Sequence, residues 1–381
     1  MSDRPVRRRS LGSSDLVAPI EPFAERCRRA TAAAASLGAD RLLASDHGTV
    51  RWLTGRESEI GWGPLYPISA GTHVLLDPDG RGRIFCPEGE EEAGPAIAGL
   101  EVVTYPGYTV TPLRAYPALK NLLDGAGRLG VEAHALSLAL APHTETVDAT
   151  QALASLRLRK DPAEIARIER AARVASIGQR TFRACAEPGI TEIELFSALH
   201  AAMEKEAGTR VPVLPDLISG SRMALVGVPP TDRRLEAGDL ALADLVVRVD
   251  GYWADSCTTI CLGKPTDAMR RLHDTCVRVL EIGIGMAQPG TVAGDLDKRV
   301  RGAMRKAGYE YPHHTGHGVG VSFHEEPRIV PDATVVLEEG MVVALEPAGF
   351  GRDIGCRTEH LMVVTPSGGR ILTDYPFGLE S

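Results

Sequence analysis

The chain has 381 residues, enough for two domains of ordinary size. Its formal net charge of −8 argues against a general nucleic-acid binder or membrane-surface binder, and no apolar run reaches the roughly 18 residues that a spanning helix needs. Seven cysteines without CxxC spacing fit a reducing cytoplasm and no disulfide framework.

The opening MSDRPVRRRSLGSSD carries charge with no apolar stretch behind it, so it reads as a mobile tail over residues 1–18 and not as a secretory signal. Only six of the 42 basic residues are lysine, a bias we read as a compositional habit of the genome. A helix is expected over 21–37. Strand-like runs follow at 41–44, 50–53, 73–76, 83–86 and 102–104, parted by turn signals at Asp79-Gly80 and Pro106-Gly107. A helix near 112–124 and a strand near 128–132 complete an α/β region to about residue 155.

A new regime starts at Arg159. Asp161, Pro162 and Glu164 form an N-cap, a first-turn proline and a capping box. Ile165, Ile168, Ala172 and Ala175 then recur at helical spacing. Thr191 and Glu194 make a second capping box, opening a helix to about Ala207. Helices near 266–287 and 293–307 interrupt a region of strands and turns running to the C-terminus.

Asp250-Gly251 is a strong two-residue hairpin signal. If Val249 pairs with Tyr252, then Val246 pairs with Asp255. Asp244 shares a strand face with Val246, so Asp244 and Asp255 become diagonal neighbours with Cβ atoms roughly 7 Å apart. Two carboxylates among Leu, Val, Ala and Trp call for a cation, the alternative being that one or both face solvent. Glu346, ending the apolar run MVVALEP, and Glu359, in RTEHLMVVT, raise the same question. Four of the eleven histidines lie between His313 and His324, in PHHTGHGVGVSFHEEP. Glycines bracket His317 and admit close backbone approach. His313 and His317 are spaced as in HExxH, but that motif needs a helix and a glutamate, and the glycines here oppose a helix. The same glycines are not a dinucleotide fingerprint, because no helix follows.

The segments GDLALAD, GYWADSCTT, HHTGHGVG with HEEP, GMVVALEP and RTEHLMVVT, in that order and spacing, resemble the metal-binding motifs of the pita-bread metallopeptidases. That family includes aminopeptidase P, prolidase, methionine aminopeptidase and creatinase. RLRKDPAEIARIERAARVA and EPGITEIELFSALHAAMEKEAG resemble it too, so the likeness runs from about residue 153 to the end. A weaker likeness around VRWLTG and GVEAHAL reaches the N-terminal domain of the creatinase and prolidase branch. The resemblance implies an α+β chain, with a smaller α/β domain over 19–155 and a pita-bread catalytic domain over 156–381.

It also implies metal ligands at Asp244, Asp255, His317, Glu346 and Glu359, with Asp255 and Glu359 bridging two divalent ions. Asp244 would hold one ion, His317 and Glu346 the other. Such hard ligands favour manganese, with cobalt, zinc or iron as alternatives. Two ions roughly 3.5–4 Å apart can share a hydroxide and polarise a carbonyl. Glu346 would act as general base. His313 and His324 would contact substrate or the tetrahedral intermediate, and Arg357 would support Glu359. His314 and His360 carry no assigned role beyond structure and packing, and the cysteines are expected to be structural. Trp62 is a candidate lid residue, with simple packing as the alternative. A homodimer in the cytoplasm is expected.

The family usually has one more histidine, and its position falls at Gly227; no histidine occurs between His200 and His273. Thr258 stands where the family's DxTRT pattern has arginine. The expected activity is therefore a dimetal-dependent hydrolase of the Xaa-Pro peptidase type, with a pocket altered at Gly227 and a peptide or small amide as substrate. One alternative is a metallohydrolase acting on a small non-peptide amide. Another is a non-enzymatic binding domain of the same fold.

Overall fold

In the computed structural model, residues 21–57, 71–106, 115–137, 145–351 and 354–380 are described. The N-terminal tail and Trp62 lie outside them. In chain order the first part contains α1 (Phe23–Ser36), β1 (Arg41–Ala44), α2 (His47–Thr54), β2 (His73–Leu76), β3 (Gly82–Pro87), β4 (Leu100–Tyr105), α3 (Ala115–Leu123), β5 (Leu129–Val131), β6 (Thr146–Asp148) and α4 (Thr150–Leu156). Its strands form one mixed sheet in the order β4-β3-β2-β1-β5-β6.

One expected strand is a helix. Val50–Leu53 falls inside α2, because Asp46 accepts from the Thr49 amide as N-cap and Gly55 closes the helix in the left-handed conformation. A four-residue apolar run does not by itself distinguish strand from buried helix.

The second part runs through α5 (Pro162–Cys185), α6 (Glu192–Ala207), β7 (Val213–Ser219), β8 (Leu240–Val249), β9 (Tyr252–Ala254) and β10 (Cys257–Cys261), then α7 (Asp267–Met286) and α8 (Ala293–Lys306). It ends with β11 (Gly316–Gly318), β12 (Glu325–Ile329), β13 (Val342–Leu345), β14 (Ala348–Phe350), β15 (Gly355–Arg357), β16 (His360–Thr365) and β17 (Gly368–Ile371). Both expected capping boxes form, at Asp161 and at Thr191. The apolar stripe of α5 buries Ile168, Ala172, Ala175 and Phe182 against β8 and β9. Two sheets, β10-β8-β7 and β12-β11-β13-β16-β17, form the floor of this part, each backed by a helix pair, so α and β elements are segregated as in an α+β fold.

The sheets are stitched where the site lies. The Glu359 amide donates to the Cys257 carbonyl (3.1 Å), and the Thr259 hydroxyl donates to the Arg357 carbonyl (3.0 Å). The glycines around His317 serve this packing. A Cβ at Gly316 would stand 2.1 Å from the Ala344 carbonyl oxygen, and one at Gly318 would stand 2.2 Å from that of Glu326. They admit the flanking strands rather than clear room for a ligand. Among the described residues no helix is long and apolar enough to cross a membrane.

Candidate active site and metal centre

The Asp250-Gly251 turn has φ of 49° and 81°, the two left-handed residues of a type I′ hairpin. The ladder runs Val249 with Tyr252, Val247 with Ala254 and Asp244 with Cys257 in one unbroken register. Asp255 therefore falls opposite Val246, on the same face as Asp244, as the turn arithmetic expects. Glu346 follows β13 directly, and Glu359 precedes β16. His317 lies in β11 opposite Ala344, so the second sheet presents all three toward the hairpin.

The structure brings the five expected ligands together. His317 Nε2 is 3.5 Å from Asp255 Oδ2 and 3.6 Å from Glu346 Oε1. Its Nδ1 sits 3.0 Å from the Gly318 carbonyl, which assigns the proton to Nδ1 and leaves Nε2 with a free lone pair. Ligand atoms of Asp255, His317 and Glu359 lie within 4.8 Å of one another, and so do those of Asp244, Cys257 and Glu359. The two groups share Glu359.

Among the described residues, both Glu359 carboxylate oxygens, and Asp244 Oδ1, are buried without a hydrogen-bond partner. An ionised carboxylate in that condition is costly. Burial, with the neighbouring carboxylates, accordingly pushes Glu359 and Asp244 well above the usual range, and burial with the charge of Glu346 pushes Asp255 to about 7. Divalent cations fit this donor set, because among the described residues no side chain answers Glu359 or the second oxygen of Asp244.

Glu346 is the exception. Burial raises it, but the His314 hydrogen bond, with the charge of Arg357 nearby, outweighs burial and holds it below the usual carboxylate range. It is the ionised carboxylate of the cluster. Burial lowers His313 to about 4, so its imidazole is neutral near pH 7, and its Nε2 has no partner. The His324 ring packs 4.1 Å from that of His317 and is likewise lowered, by desolvation and the other histidines. Arg357 Nη2 spans Asp244 Oδ2 (2.6 Å) and Asp216 Oδ2 (2.9 Å). It holds Asp244 directly, where the sequence reading tied it to Glu359.

These groups open on a cleft of about 290 Å³, rimmed by Leu214, Val226 and Phe323, and Gly227 lies in its wall. Gly227 has φ +71° and donates its amide to Asp216 (2.8 Å); a Cβ there would meet nothing within 4 Å. Larger clefts of about 460 and 370 Å³ run along residues 330–335 and beside α8, but bring no histidine and no orphaned carboxylate together. Thr258 points away from the site, its hydroxyl donating to Gln179 Oε1 on α5 (2.7 Å).

Four residues at the site escaped the sequence reading. His314 Nε2 is 2.6 Å from Glu346 Oε1, and its Nδ1 accepts from Arg328 Nη2 (2.7 Å), so it is more than a structural residue. Arg328 reaches it because β12 folds back on β11, which no local pattern announces. Asp216 stands directly across the ladder from Asp244, and an acid inside the apolar run VLPDLIS was the available signal. Cys257 follows Asp255 by two residues and so shares its strand face. His360 turns to the other side, bonded to Thr373 (2.8 Å) and packed on Tyr375 and Phe377, in keeping with a packing role.

Comparison with known proteins agrees with this architecture. Residues 166–366 match the profile of Metallopeptidase family M24, and residues 26–159 match the Creatinase/Prolidase N-terminal domain. The chain is 27% identical to the uncharacterized peptidase YqhT of Bacillus subtilis, over 89% of this chain and 95% of that protein. It is 29% identical to the Xaa-Pro dipeptidase of Pyrococcus furiosus, over 81% of this chain and 88% of that one. The solved Xaa-Pro dipeptidase from Bacillus anthracis superposes with a TM-score of 0.82 at 24% identity, covering 94% of this chain and 99% of that one, a likeness of fold. The prolidase from Pyrococcus furiosus superposes with a TM-score of 0.79 at 25% identity, covering 91% and 99%. The chain therefore belongs to metallopeptidase family M24, with a creatinase/prolidase-type domain preceding its pita-bread domain, and is an enzyme of that family.

Proposed function

We propose that the protein is a dimetal-dependent hydrolase of the Xaa-Pro peptidase type, cleaving an amide bond in the cleft walled by Gly227. The observation that carries this reading is the orphaned Glu359 carboxylate, shared by two groups of donor atoms. Asp255, Glu359, His317 and Glu346 would hold one ion, and Asp244 with the shared Asp255 and Glu359 the other. Bound there, two divalent ions would acidify a water and polarise the scissile carbonyl.

The protein's own groups divide the remaining work. Glu346 is held ionised by His314 and is the acceptor for the proton of the attacking water. His313 and His324 face the cleft: His324 is a neutral imidazole placed to donate to the substrate carbonyl and to the oxyanion that develops from it, while His313, whose Nδ1 donates to the His314 carbonyl (2.7 Å), offers its Nε2 to the substrate as an acceptor. Arg357 orients Asp244. Manganese is the favoured metal for the carboxylate and imidazole ligands, the active form is a homodimer, and the compartment is the cytoplasm. Xaa-Pro dipeptides assayed with added Mn²⁺ test the proposal, turnover being expected; a fully metallated sample that turns over no Xaa-Pro peptide overturns the peptidase form.

A second reading, hydrolysis of a small non-peptide amide, draws on the open space over Gly227, where a Cβ would meet nothing within 4 Å. An acylated amino acid screened beside the peptides separates the two.

A further inference from the structure

We propose that Cys257 is itself a metal ligand, its Sγ completing with Asp244 and Glu359 a position for a thiophilic divalent ion such as zinc, cobalt or iron. The proposal rests on the metal centre above and goes beyond it by adding a thiolate to a site of carboxylates and imidazole.

Three observations carry it. First, the register sets Cys257 directly across from Asp244 and two residues beyond Asp255, so its side chain leaves the strand on the metal-facing side. Ser256 and Thr258, on the other face, are both engaged by Gln179. Second, the Sγ and the carboxylate oxygens of Asp244 and Glu359 lie within 4.8 Å of one another, close enough to surround one ion. Third, the neighbours of that sulfur are unsatisfied: among the described residues Glu359, 1% exposed, has neither oxygen hydrogen-bonded, and Asp244 Oδ1 has no partner.

Cys257 itself is fully buried, and Arg357 Nε donates to its sulfur at 3.5 Å. On coordination the S–H bond gives its proton to solvent and the sulfur–metal bond takes its place. The two ion positions then differ in kind. The one beside His317 is built of hard and borderline ligands, and the one beside Asp244 includes a soft one. The expected preference for manganese would hold for the first and not for the second.

Cobalt titration of the metal-stripped protein tests this without substrate. The wild type should develop a near-ultraviolet thiolate-to-cobalt charge-transfer band, lost in Cys257→Ser and kept in Cys86→Ser, whose cysteine lies in the N-terminal sheet. The preference for Zn²⁺ over Mn²⁺, measured by competition, should fall at least about tenfold in Cys257→Ser. X-ray absorption of the zinc-loaded wild type needs no variant and should show sulfur at about 2.3 Å. A cobalt-loaded wild type without the band, a zinc form without the sulfur shell, or a Cys257→Ser protein that keeps the band overturns the proposal. A chain that takes up no cobalt overturns it together with the metal centre. A charge-transfer band without peptide turnover would instead sink only the peptidase assignment.

Discussion

Two clusters of buried charge in this molecule are built on opposite plans. Where the N-terminal region meets α5, Arg26 pairs with Glu21 (2.9 Å), Asp161 (2.7 Å) and Glu164 (3.7 Å), while Arg51 and Arg167 also reach Glu21 (3.1 and 2.6 Å). Each acid there meets a guanidinium. In the catalytic region Asp244, Asp255, Glu346 and Glu359 converge; among the described residues Arg357 is the one permanent cation that pairs directly with any of them, and neither Glu359 oxygen has a partner. The first cluster answers each of its acids as folded and fastens two parts of the chain. The second is complete only with cations from outside. Burial alone does not separate structure from function here; the balance of partners does.

Asp255→Ala is the severest test of the contrast. It removes a shared ligand, and metal content with hydrolytic activity should fall by more than about 100-fold while the fold survives. Retention of both would refute the site. Arg26→Met attacks the closed cluster instead. It takes the guanidinium from Asp161 and buried Glu164, leaving Glu21 to Arg51 and Arg167, and should cost about 3–5 kcal/mol in a urea titration, with metal content unchanged. If metal is lost as well, the two clusters are not independent.

A third test uses pH. Asp255 is held near 7 in the metal-free protein, and Asp244 and Glu359 are also raised. Between the ordinary carboxylate value of about 4 and these raised values, the folded chain keeps protons that the unfolded chain releases. Metal-free stability therefore falls as pH rises through that window, and bound metal removes the loss. The rise in melting temperature on adding metal should be larger at about pH 8 than at about pH 5; an equal rise would show that the carboxylates are already ionised. Gly227→Asn is the mildest change. Asparagine tolerates the left-handed backbone, and nothing crowds its Cβ, so stability should drop by about 1 kcal/mol or less. The Michaelis constant for bulky substrates should rise several-fold, as kinetics on a size series would show.

Much of this was legible locally. The capping boxes at Asp161 and Thr191 start their helices where expected, since such caps depend on four consecutive residues. Val50–Leu53 misled because its caps, Asp46 and Gly55, lie outside the apolar run. Cys257 was within reach of the alternation argument that paired Asp244 with Asp255. His314 was not, since its meaning depends on Arg328, which a second strand delivers.

The sequence by itself determined the hairpin register, and with it the shared face of Asp244 and Asp255, because a type I′ turn and a period of two leave one pairing. It also marked His317, Glu346 and Glu359 through their family spacing. Only the tertiary structure decided which carboxylates are answered and which are not. That outcome depends on the meeting of two sheets some 100 residues apart in the chain, where the Glu359 amide bonds the Cys257 carbonyl and Arg357 turns to Asp244 and Asp216. Charge balance in a buried site is a property of that meeting, and no single segment contains it.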